Sequence, residues 1–425
     1  LSRGWRGWNP PPNQGAEMAR FLFVVPPFAG HVNPTVPVAA ELVQWGHEVA
    51  WTGLPGSVEA LLPDDAPFWA ATSPEVAAYV ADAGARRPDM RGAAAFKFLQ
   101  EAVLLPLAAA MVDGVDAAVE AFEPDIMIVD QQALAGAVVA RRRGMVWATS
   151  ATTSGELVDP LAGLPLVATA MHRARVDLQI AHGVDPSVAA LGDLRISPHL
   201  VVAYTTEALA GDVAIAAPVA FVGPSTLGRP EIDDFPWDQL DDSRPKVLIS
   251  LGTLNADAGE RFFAVAAEAC RDQPWQAIFV APEAMVPHPP SGAIVRARVP
   301  QLAVLARVDA VVSHGGHNTV CESLAAGLPL VLAPIRDDQP VVADQVVRAG
   351  AGVRVKFNRV KAPDLRSAIL QALTDPELRR SAAVVAASFA VAGGAQAAAE
   401  ALVGLVPASG DGARPVGRPV QSRRS

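Results

Sequence analysis

The sequence predicts an α/β protein with two parallel-sheet domains facing each other across a cleft. Three observations carry that expectation. Short apolar runs alternate with helical stretches along the chain. The runs are apolar on both faces, so each strand is covered above and below by helices. The alternation stops once, at residues 223–245, and then restarts.

The elements follow in order. Residues 20–27 (RFLFVVPP) read as a buried strand. A helix over 34–45 follows, with Pro34 suited to a first turn. Gly46-His47 closes it, and 48–53 begins the next strand. Residues 126–130, 145–149 and 200–204 are further strands. Segment 223–245 (GPSTLGRPEIDDFPWDQLDDSRP) holds four prolines and six acidic residues with neither a helical nor a strand period, which marks a linker. Beyond it, strands are expected at 246–251, 276–281, 294–299, 310–313, 329–334 and 352–355, with helices at 318–326 and 339–349 among them. The domains are therefore 18–222 and 246–406. Residues 1–17 lack the apolar core of a signal peptide and read as a leader. Residues 407–425, rich in Pro, Gly, Ser and Arg, read as a disordered tail.

Composition narrows the functional classes. Of 425 residues, 51% are apolar and mean hydropathy is +0.26, enough to bury a large core. The net charge of −10 argues against nucleic acid and against a polybasic membrane anchor. The longest uninterrupted apolar run, 102–112, contains Pro106 and falls short of the ~20 residues a spanning helix needs. No integral membrane association is expected. Cys270 and Cys321 cannot form a disulfide scaffold and read as buried thiols of a cytoplasmic protein.

Chemistry concentrates at the carboxyl ends of strands, where open parallel sheets bind ligands. In the second domain the strand ending at Ser313 runs into His314-Gly315-Gly316-His317-Asn318-Thr319 and a helix. Glycines let the backbone approach a ligand, and a helix N-terminus offers unpaired amides and a positive dipole end. With His314, Asn318 and Thr319 as side-chain donors, this is a pyrophosphate cradle; it lacks the Gly-Lys-Ser/Thr of a P-loop. Glu322, on the first turn of that helix, is placed for a ribose diol. Asp338 and Gln339, on the same rim, suit sugar hydroxyls, although taken alone Asp338 reads as a plain helix cap before Pro340. Ser250 and Thr253, after the first strand of this domain, could approach phosphate or simply form a tight turn. In the first domain, His31 lies in the loop leaving the first strand. A neutral histidine is the usual general base, and Asp130 at the end of a neighbouring strand is its candidate orienting partner. No metal-ligand spacing, no Gly-x-Gly-x-x-Gly at the first strand and no Gly-x-Ser-x-Gly elbow is present.

Gly30-His31-Val32-Asn33-Pro34, Val299-Pro300-Gln301, His314-Gly315-Gly316-His317-Asn318-Thr319, Glu322-Ser323, Gly327-Leu328-Pro329 and Asp338-Gln339 together resemble the UDP-glycosyltransferase superfamily. The likeness spans roughly residues 18–405. It implies the GT-B fold and metal-independent, inverting transfer from a nucleoside-diphosphate sugar, with no cofactor. By this resemblance His31 deprotonates the acceptor and Asp130 supports it. His314, Gly316, Asn318 and Thr319 hold the diphosphate, Glu322 the ribose, and Asp338 and Gln339 the sugar. Gln301 and the Val299 backbone contact the base. Arg298 stands where plant members carry a stacking Trp, which leaves dTDP open beside UDP as the donor nucleotide. His317 replaces the usual aromatic or small residue after Gly-Gly.

The acceptor is expected against the first domain, as a small hydrophobic natural product, an aromatic or polyketide aglycone of antibiotic biosynthesis. The segment PPFAGHVNPTV is reminiscent of indolocarbazole N-glycosyltransferases. Phe68, Trp69, Phe96, Phe98, Met90 and Met171 are candidates for an apolar pocket, each with a core reading as well. Two other classes share the architecture: a nucleotide-sugar 2-epimerase, which needs no acceptor, and a non-catalytic auxiliary of a partner transferase. The chain is expected as a monomer or dimer.

Overall fold

The computed structural model describes residues 18–73, 76, 97–158, 164–213, 215–226, 235–252 and 259–407. The first domain carries β1 (Arg20–Val24), α1 (Ala29–Val32), α2 (Thr35–Gln44), β2 (Glu48–Gly53), β3 (Phe68–Ala70), α3 (Leu105–Phe122), β4 (Ile126–Asp130), α4 (Leu134–Arg143), β5 (Trp147–Ala151), α5 (Pro165–Ala181), α6 (Pro186–Ala189), β6 (Val201–Ala203), α7 (Glu207–Ala210) and β7 (Val219–Phe221). Its seven strands are parallel in the order β3-β2-β1-β4-β5-β6-β7. The second carries β8 (Lys246–Ser250), α8 (Glu260–Ala269), β9 (Gln276–Val280), β10 (Ile294–Arg296), α9 (Gln301–Leu305), β11 (Ala310–Ser313), α10 (His317–Ala325), β12 (Leu330–Leu332), α11 (Gln339–Arg348), β13 (Gly352–Arg354), α12 (Ala362–Thr374), α13 (Pro376–Val391) and α14 (Gly394–Val403). Its six parallel strands run β10-β9-β8-β11-β12-β13.

The doubly apolar strands do what their composition requires. Phe21 and Phe23 on β1, with Val25 just beyond it, pack on one face of the sheet with Val38 and Leu42 of α2. Leu22 and Val24 pack on the other, with Met111 and Val115 of α3 and Val138 of α4. Side chains of period two thus fill two helical layers from one strand. Strand order reverses direction between β1 and β4 and between β8 and β11, the switch points where α/β sheets open a crevice.

Three features differ from the sequence expectation. The edge strands β3 and β7, in which no residue is buried, were not anticipated. The apolar run at 102–112 continues across Pro106 into one helix, Leu99–Phe122, whose first six residues are π-helical. Among the described residues it is the one unbroken helix long and apolar enough to cross a membrane. Half of it is buried, and Met111, Val112 and Val115 lie in the first-domain core. Finally, α14 leaves the second domain. Gly393 and Gly394, at φ 86° and 57°, bend the chain by 42° out of α13. Ala395, Ala398, Ala399 and Leu402 then pack beside α2 under the first sheet. The boundary at 406 thus gives way to a strap that returns to the first domain.

Within the linker, Phe235 and Trp237 meet at 4.5 Å between ring centroids, their planes tilted by 59°, and join the second-domain core, with the Arg307 guanidinium over the Trp237 ring. Ala398 is fully buried. Replacing it with Asp places an unpaired carboxylate against α2, a penalty of several kcal/mol. A398D is expected to release α14, seen as proteolytic cutting near Gly393-Gly394 that the unmodified protein resists.

Candidate active site between the two sheets

Three adjacent strands of the first sheet, β1, β4 and β5, end side by side, and each delivers one group to the rim. The loop after β1 folds into the short α1 and presents His31, 15% exposed at its side chain. β4 ends on Asp130, whose side chain is inaccessible. Asp130 Oδ1 and Oδ2 lie 3.0 and 2.9 Å from His31 Nδ1. Thr152, just past β5, donates its hydroxyl to Asp130 Oδ2 at 2.7 Å and lies 2.7 Å from His31 Nδ1. The Gln132 amide donates to Asp130 Oδ1 at 2.8 Å. Burial works against a charged His31 imidazole, but the Asp130 carboxylate, through its charge and hydrogen bond, raises the pKa above the ordinary histidine value.

In the second sheet β8, β11 and β12 are likewise neighbours. After β11, Ser313 Oγ accepts the Gly315 amide at 3.1 Å, and Gly315 takes φ 87°, a conformation that suits glycine. Gly316 is required for a different reason: a Cβ there would overlap the His314 ring. Gly252, after β8, is in the same position, because its Cβ would come 2.7 Å from His314 Cε1. The His314 imidazole is thus wedged between two glycine backbones. Burial drives its pKa down to about 4, so the ring is neutral, and Nδ1 has no partner among the described residues. Helix α10 starts at His317 with no side chain capping its N-terminus. Its first-turn amides and positive dipole end suit an anion.

The two rims meet. Asn318 Nδ2 donates to the Gly30 carbonyl, next to His31, at 3.0 Å. Thr153 donates its hydroxyl to Asp338 Oδ2 in the loop after β12. That loop is tightly wound: Asp337 holds φ 58°, and Gln339 Oε1 accepts the amides of Ile335 and Arg336. Burial pushes the Asp338 carboxyl up to about 6, with the Thr153 hydrogen bond opposing the shift. His317 sits between the domains. Its Nδ1 faces the Ser154 amide at 3.4 Å, and its Nε2 lies 3.2 Å from the Tyr204 carbonyl. Ser154 also donates to Gln345 Oε1 at 2.5 Å. A crevice runs alongside, with Pro34, Ser225 and Thr226 facing Asn318 and Glu322.

The structure therefore gathers His31 with Asp130, and His314, Gly316, Asn318, Glu322, Asp338 and Gln339 on the facing rim. Other expectations change. Glu322 lies on the second turn of α10 and is 3% exposed, with its Oε2 held by Gln301 Nε2 at 2.5 Å. The Val299 side chain is in the second-domain core, which leaves its backbone for a ligand, and Arg298 is exposed. Ser250 is buried and accepts the Gly252 amide at 3.4 Å, a turn-forming contact. The Thr319 carbonyl accepts the Ser323 hydroxyl within α10. Of the two readings of Phe68 and Trp69 on β3, the structure shows the packing: Phe68 lies against a first-domain core, and Trp69 stands 5.2 Å from Phe122. Met171 lines an apolar crevice with Leu166, Val167 and Ala170, at the Lys97–Glu101 ion pair. Phe96, Met90 and Thr253 lie outside the described residues. Thr152, Thr153, Ser154 and Gln345 were not anticipated. The first three were detectable as a hydroxyl-rich run leaving a strand on the same rim.

The chain matches the family model described as UDP-glucoronosyl and UDP-glucosyl transferase over residues 239–387. It is 31% identical over 440 residues to the 4'-demethylrebeccamycin synthase of Lentzea aerocolonigenes, covering 91% of this chain and 100% of that protein. The demethyllactenocin mycarosyltransferase of Streptomyces fradiae is 28% identical over 435 residues, covering 93% and 88%. The solved structure of CalG4, the calicheamicin glycosyltransferase, superposes with a TM-score of 0.73 at 23% identity, covering 91% of this chain and 98% of that one, and shows the common fold. With its two facing parallel sheets and the full-length likeness to a bacterial natural-product enzyme, the chain belongs to the UDP-glycosyltransferase family and is a glycosyltransferase of GT-B architecture.

Proposed function

We propose that the protein transfers a sugar, with inversion and without a metal, from a UDP- or dTDP-sugar to a small hydrophobic acceptor, an aromatic or polyketide natural product. One observation carries the reading. The Asn318 side chain of the diphosphate cradle bonds the residue next to His31, so a base and an anion site share one gap. The acceptor hydroxyl or amine gives its proton to His31 Nε2 as it attacks the anomeric carbon. Asp130 keeps Nδ1 protonated and stabilises the imidazolium, a base contribution of ~10²–10⁴-fold. Attack from the face opposite the diphosphate inverts the anomeric centre. The diphosphate takes the bonding electrons, and its charge is met by the α10 amides and dipole. Asp338 and Gln339 take the sugar hydroxyls, Glu322 the ribose, and Gln301 the base. The crevice at Met171, with exposed Leu166 beside it, is the acceptor side. The indolocarbazole-like relative supports a flat aromatic acceptor. A cytoplasmic setting, with access to nucleotide sugars, belongs to the same proposal.

The test is product formation from UDP- or dTDP-glucose with a panel of phenolic acceptors, followed by NMR of the new anomeric centre. Epimerised donor in the absence of acceptor, or a product of retained configuration, overturns the reading. H31A is expected to lower kcat by about 10²–10⁴-fold while thermal stabilisation by UDP or dTDP persists. G316A forces the His314 ring from its slot. At about 1–3 kcal/mol of overpacking, nucleotide affinity falls about 5–150-fold, read by thermal shift, with the fold intact. The pH dependence has a defined sign. His31 works deprotonated, and its pKa is raised, so kcat/KM climbs with pH through a midpoint above the ordinary value of 6.5. Asp338 must be ionised to accept sugar hydroxyls and titrates near 6. Below that pH the limb is expected to steepen to two protons, and D338N is expected to restore a one-proton limb.

A further inference from the structure

We propose that Thr152 is a positioning residue for this reaction: its hydroxyl holds the Asp130 carboxylate in the setting that keeps the His31 proton on Nδ1. The inference deepens the transfer reading and rests on it for its catalytic meaning. Thr152 is 2% exposed and stands one residue past β5, in the strand register that sets Ser150 beside Asp130. A hydroxyl has one proton to give. The Asp130 carboxylate is inaccessible to water and takes the Gln132 amide on Oδ1 and the Thr152 hydroxyl on Oδ2. Ionised, it needs both donors.

With its proton committed to Asp130, Thr152 Oγ1 has only lone pairs left to offer His31 Nδ1, at 2.7 Å. Every oxygen placed around Nδ1, at 2.7, 2.9 and 3.0 Å, is then an acceptor. Only an Nδ1–H imidazole satisfies that arrangement, and Nε2 keeps the lone pair that a base requires. Without the hydroxyl the buried carboxylate loses a donor and freedom to rotate returns, so the Nε2–H tautomer, which cannot accept a proton at Nε2, gains population.

The same short run fixes where Thr152 stands. Thr153 bonds Asp338 and Ser154 bonds Gln345, both in the other domain. At the far end Glu156 is held by Gln132 Nε2 at 2.9 Å and by Arg195 Nη1 at 3.0 Å. The hydroxyl is thus set by contacts on both sides of the cleft, and dyad geometry is coupled to the docking of the donor domain.

The experiment is 15N NMR of histidine-labelled protein without substrates at pH 8.5, the His31 signals being assigned by their loss in H31Q. The unmodified protein is expected to show Nδ1–H and a free Nε2 at His31. T152V is expected to gain the Nε2–H form. With UDP- or dTDP-glucose and 4-methylumbelliferone as acceptor, its kcat is expected to fall about 10–100-fold while KM for the nucleotide sugar stays within about twofold. T152S is expected to restore both readouts. An Nε2–H ring in the unmodified protein overturns the proposal even if no variant folds. So does an unchanged tautomer with unchanged kcat in folded T152V. Unmodified protein that shows the Nδ1–H lock yet transfers no sugar removes the transfer reading and leaves the assignment of the lock standing.

Discussion

The site rests on a polar junction between two domains, and one neutral imidazole is buried in it. His317 occupies the first position of α10, and its ring is buried between a Ser154 amide and a Tyr204 carbonyl. A neutral ring can accept at Nδ1 and donate at Nε2 at once, and an imidazolium cannot. Burial, opposed by the bond to Tyr204, lowers the pKa to about 4 and so maintains the form that the joint needs. If this ring is not seated, the first turn of α10 does not lie against the loops after β1 and β5. Asn318 then does not reach Gly30, and the base and the anion cradle do not share a space.

The cradle follows from the same economy of charge. In the proposed reading a diphosphate meets a helix end, close backbone and a neutral ring. That solution depends on volume. Gly252 and Gly316 are small so that the His314 ring fits between them, and Gly315 turns the chain where φ is positive. The two glycines of the motif therefore have different jobs, one of space and one of conformation. A substitution that satisfies one requirement still fails the other.

How much of this is legible in the sequence depends on the length scale of the signal. The parallel sheets were readable from runs such as 20–27, because a strand buried on both faces has no polar position to interrupt it. His31, Asp130 and the His314–Thr319 motif were readable because they fall at strand ends, where topology alone places them on a rim. β3 and β7 have no buried residue, so the signature of a strand covered on both faces is missing there. Phe68 and Trp69 carried a pocket and a core reading together, because an aromatic residue looks the same whether it meets a ligand or another ring; the neighbour, Phe122 for Trp69, is visible only in the structure. The return of α14 was hidden for a related reason. Its alanine face fits either sheet, and the choice is made by the glycine bend that precedes it.

The least legible feature is also the one that ties the halves together. Residues 152–156 (TTSGE) are ordinary as a string, but each side chain faces a different direction. Thr152 serves the dyad, Thr153 the sugar-side carboxylate, Ser154 the domain joint and Glu156 the anchor. Gly155 lacks a side chain because a Cβ there would come 2.9 Å from Asp338 Cβ. The anchor is an internal ion cluster in which Arg195 bridges Glu156 and Asp193. A buried charge without partners would be costly, so the cluster is held in a single arrangement and fixes one end of the run. Thr153 and Ser154, in the middle of the run, are held by the second domain. Thr152 stands between these held residues and the end of β5, and from there its hydroxyl reaches Asp130. The setting of the proposed base thus draws on both domains, since the run that carries Thr152 is bonded to each.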